Sequence, residues 1–508
     1  MYKKNDPPDS GEAPRPGSVP GLGSGDVHEP ITRARPRASI SSKDDIAIDD
    51  SRSTSDDTSQ PPPNHAPDIP PNGGYGWLCT LCVALINAHT WGINSSYGVF
   101  LSHYLTTNLY PSSSPLQFAF VGSLSISCAL LLSPLATITT REYGTRTTLL
   151  IGTALEAGSL IAASFASEMW HLFLTQGVCF GLGMGFLFVG SVGIVPQWFT
   201  TRRSLANGIA TAGSGFGGLL YSLASGAMIR NLGLPWTFRI LGIVALVVNT
   251  GCSLVVRDRN KQIGASQLAF DWSLFRRVEY LLLLGFGWFS MLGYVVLLFS
   301  LASYARAVGL SASQASVVSA ILNLGQGLGR PPIGYFSDAV GRINMACFAT
   351  FMAGLLALVV WIFATSFGVL IFYALVGGAV AGTFWTVIAP VTVEVVGLKD
   401  VPSALSITWV VLAVPCTFSE PIGLEIVSFE RGRYLGAQVL VGFMYLAGAG
   451  CCVLLRGWKI GEVRAVEEMK GEGVEVVGTE EAGDDTLTQA KRRARRRMWV
   501  DCVKWKKV

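Results

Sequence analysis

The sequence predicts an all-α membrane protein whose twelve transmembrane helices form two six-helix halves. The first observation behind this is composition: 50% of residues are hydrophobic, only 14% are charged and the mean hydropathy is +0.44. The second is a series of apolar runs long enough to cross a bilayer, and the third is an excess of Lys and Arg in alternate loops. Soluble domains carry about 25% charged residues, so composition alone excludes that class.

Residues 1–72 are rich in Pro, Ser, Asp and Gly and poor in large apolar side chains. Such a segment cannot offset its ordering entropy and is expected to be a disordered cytoplasmic tail. No apolar stretch of signal-peptide type lies near Met1, so the first span is expected to direct insertion. Apolar runs follow at 76–105, 116–139, 147–166, 171–195, 204–229 and 236–256, and again at 280–305, 312–336, 344–364, 368–396, 402–427 and 434–455. Each is about 20 residues or more, which at ~1.5 Å per residue covers a hydrocarbon core of about 30 Å. The expected organisation is an N-terminal half over 73–256, a cytoplasmic linker over 257–279, a C-terminal half over 280–456 and a basic cytoplasmic tail over 457–508.

Loop charge sets the orientation. With both termini cytoplasmic, the inner loops hold Arg141, Arg146, Arg202, Arg203, Arg257, Arg259, Lys261, Arg276, Arg277, Arg342 and Lys399, and the outer loops hold only Arg230, Arg306, Arg431 and Arg433. The expected location is the plasma membrane, with an internal membrane such as the vacuole as the alternative. The net charge of +4 comes partly from K-R-R-A-R-R-R at Lys491 to Arg497. Beside a membrane this tail reads as a solvated segment attracted to anionic lipid, worth about 1 kcal/mol per basic residue, and not as a nucleic-acid patch. The ten cysteines form no disulfide framework, and Cys79-x-x-Cys82 stands in an apolar helix without His or Cys partners, so no metal or cofactor is expected.

The loop after the second run, P-L-A-T-I-T-T-R-E-Y-G-T-R, has a counterpart after the eighth, P-P-I-G-Y-F-S-D-A-V-G-R, and R-R-S-L-A-N-G after the fourth has one in L-K-D-V-P-S-A-L-S after the tenth. Two related halves facing each other across a cavity is the arrangement of membrane transporters.

Arg330 is the most informative residue, because it stands inside an apolar run. Placing a guanidinium in hydrocarbon costs at least about 2.5–3.5 kcal/mol, so such residues face a bundle interior or a watery cavity and have a partner. Ser319, Asn323, Gln326 and Arg330 share one helical stripe, and Arg330 lies eight residues from Asp338, roughly 12 Å into the membrane. A guanidinium clamps a carboxylate in a bidentate fork, which a lysine does less well. The first run carries a neutral stripe of Asn87, Thr90, Asn94 and Tyr97, with His89 beside it as a titratable group or a packing residue. Glu420, which precedes a Pro expected to break its helix, is read as a counter-charge to Arg330 or a proton carrier, and Trp385 as an aromatic wall. Asp338 and Arg342 read as a gating pair, joined by Arg202 and Arg203 at the start of the fifth helix.

The turn Gly334, Asp338, Gly341 and Arg342 resembles the Gly-x-x-x-Asp-x-x-Gly-Arg loop of the major facilitator superfamily, and the first-half copy keeps Arg141, Gly144 and Arg146 without the Asp. More specifically, P-P-N-G-G-Y-G-W (Pro70 to Trp77), Q-W-F-T-T-R-R-S-L-A-N-G-I-A-T-A-G-S-G-F-G-G (Gln197 to Gly218) and N-L-G-Q-G-L-G-R-P (Asn323 to Pro331) resemble the monocarboxylate transporter family, in its fungal, riboflavin-transporter-like branch. The resemblance covers residues 70–456 and implies the major facilitator fold. It also implies a secondary active transporter that moves a small organic solute, whether organic anion, vitamin or secondary metabolite, by alternating access. The alternative is a non-transporting sensor or scaffold with the same fold. Neither is an enzyme, and no Ser/His/Asp or metal constellation of usable spacing appears. Proton-coupled animal members of the family carry a lysine and an acid where this chain has Ser95 and Gln326, so the resemblance carries over the anion-binding arginine without the proton-handling pair.

Overall fold

The computed structural model describes residues 70–107, 115–265 and 268–471. Of the tail expected over 1–72, residues 1–69 lie outside the described residues, as does the basic run at 491–497. The described chain is helical and contains no strand. In order it forms α1 (Tyr75–His89, Trp91–Ser95 and Tyr97–Thr107), α2 (Pro115–Leu131 and Ser133–Tyr143), α3 (Thr145–Ala163) and α4 (Met169–Leu172, Phe173–Cys179 and Phe180–Val192). There follow α5 (Arg203–Leu232), α6 (Leu234–Val255), α7 (Val278–Ala307), α8 (Ala312–Val340) and α9 (Arg342–Leu356 and Ala357–Trp361). The last are α10 (Phe367–Ala381 and Thr383–Val396), α11 (Val401–Phe429) and α12 (Leu435–Gly471).

Among the described residues eight stretches are long and apolar enough to cross a membrane, and α2, bent by 44°, makes nine. The three helices that complete the twelve, α3, α5 and α8, are less apolar because they carry glycines, hydroxyls and amides on faces packed against protein. α5 and α8 run against each other backbone to backbone. A Cβ on Gly208 would lie 2.6 Å from the Arg330 carbonyl oxygen, and one on Gly215 would lie 2.5 Å from the Gly327 nitrogen. Small residues admit this approach, which in lipid is driven by packing because helix surfaces and lipid tails are equally apolar.

Interruptions have local causes. In α1 the Thr90 and Ser96 hydroxyls donate to the Ile86 and Ile93 carbonyl oxygens at 2.8 and 2.7 Å and compete with the helical ladder at both breaks. α4 and α9 each contain a wide turn, Phe173–Cys179 and Ala357–Trp361. The expected break at Pro421 does not occur: α11 continues through Pro415 and Pro421. Prolines are tolerated in membrane helices because neighbouring helices, side-chain hydroxyls and local adjustments of the helix re-satisfy the freed backbone groups. α12 runs past 455 to Gly471 with Trp458, Ile460 and Glu462 buried.

One end of the bundle gathers the basic loops. The Gln197 amide donates to Asn260 Oδ1 at 2.8 Å, Asn260 donates to Thr145 Oγ1 at 3.5 Å, and the Arg257 guanidinium lies 4.5 Å from the Tyr75 ring centre. Tyr75 and Trp77 pack on Trp198 and Phe199 at ring distances of 5.9 and 4.8 Å. Asn72 accepts from the Thr200 and Thr201 backbone N–H groups at 2.6 and 3.0 Å. The stretches Pro70 to Trp77 and Gln197 to Gly218, far apart in sequence, therefore meet at this basic end.

Glu156 on α3 is fully buried and faces Asn249 on α6, whose amide donates to Glu156 Oε2 at 2.8 Å. Glu156 Oε1 and Asn249 Oδ1, both acceptors, have no partner. A donor in place of Glu156 Oε1 would offer Asn249 Oδ1 the hydrogen bond it lacks. Glu156→Gln supplies one and is expected to change stability by less than about 1 kcal/mol, whereas Glu156→Ala strands Asn249 and should cost about 2 kcal/mol or more. Thermal unfolding in detergent measures both, and equal losses would exclude this pairing.

Candidate functional site

Between the helices lies a cavity of about 660 Å³, lined from α1, α2, α4, α5, α7, α8, α10 and α11. Arg330 forms part of its wall and is 2% exposed. The period of α8 aims Asn323, Gln326 and Arg330 at this space, as their spacing requires.

The Arg330 guanidinium is held by neutral groups. Nη1 donates to the Thr211 carbonyl and the Ser214 hydroxyl of α5, each at 2.5 Å, and Nη2 donates to Gln326 Oε1 at 2.8 Å. The Tyr294 hydroxyl of α7 donates to the same Gln326 oxygen at 2.7 Å. Arg330 Nε has no partner and faces Gly382, at the break in α10, where a Cβ would lie 2.9 Å from it. None of these partners is a carboxylate, so the cavity wall carries an unneutralised cation. Such a site favours an anion brought from outside.

Of the neutral residues of α1, Asn87 and Asn94 line the same cavity, with their amides tied to the Ala210 carbonyl at 3.0 Å and the Ser125 hydroxyl at 2.6 Å. Tyr97 lines a separate space of about 340 Å³ and donates to the Phe118 carbonyl at 2.7 Å. His89 lines neither space, with Nδ1 2.8 Å from the Leu85 carbonyl and its ring against Tyr221. Glu420 sits one turn beyond the cavity residue Cys416, with both carboxyl oxygens 3.4 Å from the Ser300 hydroxyl, and it makes no contact with Arg330. Trp385 lines the cavity as an aromatic wall, 5.0 Å from Trp91 and 5.8 Å from Trp409 between ring centres.

Several lining residues escape sequence reasoning. Tyr294, Thr211, Ser214, Trp91 and Phe188 reach the cavity from α7, α5, α1 and α4. The Trp91 indole N–H is buried without a partner, a donor left available on the wall. Single aromatic and hydroxyl residues in apolar runs give no pattern that separates them from packing residues.

At the basic end the residues expected to gate divide. The Asp338 carboxylate accepts from the Ser204 and Leu205 N–H groups in the first turn of α5 at 3.0 and 2.9 Å. Arg342 lies 3.4 Å from Asp338, donates to the Thr200 carbonyl at 2.7 Å and pairs with Glu394 of α10. Arg203 is buried, with Nε on the Pro196 and Phe199 carbonyls at 3.2 and 2.9 Å, and Arg202 is exposed.

The family model described as "Major Facilitator Superfamily" matches residues 77–304 and 283–457. The chain belongs to the major facilitator superfamily. This facilitator is 33% identical over 397 residues to "Probable transporter MCH2" of Saccharomyces cerevisiae, covering 77% of this chain and 84% of that protein. It is 28% identical over 411 residues to mouse "Monocarboxylate transporter 10", covering 76% and 80%. These similarities put it among the monocarboxylate-transporter-like facilitators. The crystal structure of the E. coli fucose:proton symporter shares its fold with a TM-score of 0.57 at 12% identity, covering 75% of this chain and 98% of that one. As a facilitator the protein is a multi-pass membrane transporter of small solutes, a secondary transporter and not an enzyme.

Proposed function

We propose that this transporter carries a small organic anion, whose carboxylate or equivalent acid group docks on Arg330 in the central cavity. The observation that supports it is a buried guanidinium on the wall of a cavity of about 660 Å³ with only neutral partners. Five N–H donors belong to a guanidinium, and three hydrogen bonds are made, so the group retains capacity for a ligand. The unpartnered indole N–H of Trp91 offers a second donor, and Asn323, Gln326, Asn87 and Asn94 supply neutral hydrogen-bonding groups that discriminate among solutes. Trp385 and Trp91 supply flat apolar walls.

In this proposal the six-helix halves over 73–256 and 280–456 rock about the central site, with 257–279 as the connection between them. The termini and the basic end face the cytoplasm of a plasma-membrane protein, in keeping with the Lys and Arg bias of the loops. Asp338, Arg342, Glu394 and the first turn of α5 then form a latch that closes the cytoplasmic side in one state and parts in the other.

The test is an untargeted comparison of metabolites inside and outside cells that carry the protein, lack it, or carry Arg330→Ala. An anionic solute whose distribution follows the wild-type protein and not the variant is the expected result. A solute that is moved equally by both would remove Arg330 from the site.

A further inference from the structure

Three cavities lie in series between the central site and the basic end. The central one shares Asn87, Phe188, Thr211 and Trp385 with a smaller space of about 290 Å³, and that space shares Val192 and Trp409 with a third of about 470 Å³. The third is lined by Thr137, Thr140, Thr145, Gln197 and Asn260, residues of the loops and helix ends that meet at the basic end. An aromatic partition separates the first from the third. Trp409 of α11 is 0% exposed, with its ring 4.9 Å from Phe188 of α4 and stacked on Trp385 of α10 at 5.8 Å and 16°.

We propose that Trp409, braced by Phe188 and Trp385, is the inner gate of the transport path, and that the third cavity is a second, uncharged station for the solute. Two features beyond the cavities' arrangement point this way. The Trp409 indole N–H is buried with no acceptor, so its present position leaves a hydrogen bond unmade. The third cavity is lined by threonine hydroxyls, whose lone pairs can accept the indole N–H if the ring swings into it, so displacement is compensated. Among the described residues lining that cavity none is charged. An anion leaving Arg330 therefore enters a space that offers hydrogen bonds without a counter-charge, and is held weakly enough to depart. This station rests on the anion site proposed above, whereas the gate does not.

The experiment needs no known substrate. Cys416 lines the central cavity and is buried, so its modification reports access to that space. Full-length protein in vesicles of both orientations is treated with membrane-impermeant 2-sulfonatoethyl methanethiosulfonate, and the peptide containing Cys416 is followed by mass spectrometry. Amine labelling of the exposed Lys261 identifies the basic end. Trp409→Ala is expected to speed modification from the basic end at least tenfold with no change from the other end, and Trp409→Phe is expected to stay near wild type. An unchanged rate from the basic end, an equal increase from both ends, or a Trp409→Phe rate matching Trp409→Ala would each overturn the gate. Phe188→Leu, which removes the ring packed on Trp409, replaces Trp409→Ala if that variant does not accumulate and is judged by the same outcomes. Arg330 is the same in every variant compared, so a transporter with a different solute leaves the result standing. The station is tested separately: with the solute found by metabolite comparison, Thr140→Val is expected to slow transport severalfold without changing Cys416 access, and an unchanged rate would remove the station.

Discussion

Arg330→Gln is expected to lower transport of the anionic solute at least a hundredfold while leaving the protein as stable as wild type or more so. The loss follows from removing the only cation among the described residues of the cavity wall, since hydrogen bonds to charged groups contribute about 1.5–3 kcal/mol each and 1.4 kcal/mol is a factor of ten. The stability follows from what the side chain leaves behind. Gln326 Oε1 keeps the Tyr294 hydroxyl at 2.7 Å, and the Thr211 carbonyl keeps the Ser214 hydroxyl at 3.0 Å, so no acceptor is orphaned. Removing a buried cation that has no counter-charge also removes a desolvation cost. Arg330→Lys keeps the charge and loses the fork, and roughly a tenfold loss, mostly in KM, is expected. Initial rates in proteoliposomes and thermal unfolding in detergent give the two halves of the result. A variant that unfolds early and transports in proportion to its folded fraction would show that Arg330 is a structural residue.

The sequence locates height along the membrane better than direction around a helix. The α8 stripe was legible because 3.6-residue periodicity ties Asn323, Gln326 and Arg330 to one face, and all three line the cavity. Glu420 stands at membrane depth too, yet its carboxyl faces Ser300 of α7. Nothing in a single helix's pattern says which neighbour a polar residue meets. Tyr294 and Ser214, which complete the arginine's surroundings, are visible only once α5, α7 and α8 are packed. The twelve runs were legible from hydropathy. Where α5 and α8 fall below the apolar level of the others, glycine and polar content reports contact with protein in place of lipid. Pro421 misled because its effect was judged from an isolated helix, whereas a packed membrane helix has neighbours that restore lost backbone bonds.

Asp338→Asn is expected to open the basic end, raising modification of Cys416 from that side about tenfold. The wild-type carboxylate accepts two N–H groups at the start of α5, where the helix's positive end favours a negative charge. An asparagine has one acceptor oxygen, and its NH2 group confronts the second N–H, so one bond and the charge term are lost together. These amount to about 1–2 kcal/mol, enough to shift a two-state equilibrium five- to thirtyfold. Arg342→Gln acts on the same cluster through Thr200 and Glu394. Residues in one hydrogen-bonded network are not additive, so the double variant is expected to open the end by less than the product of the two single effects. If the two effects multiply cleanly, Asp338 and Arg342 act as separate anchors, and the single latch has to be abandoned in favour of two independent helix contacts.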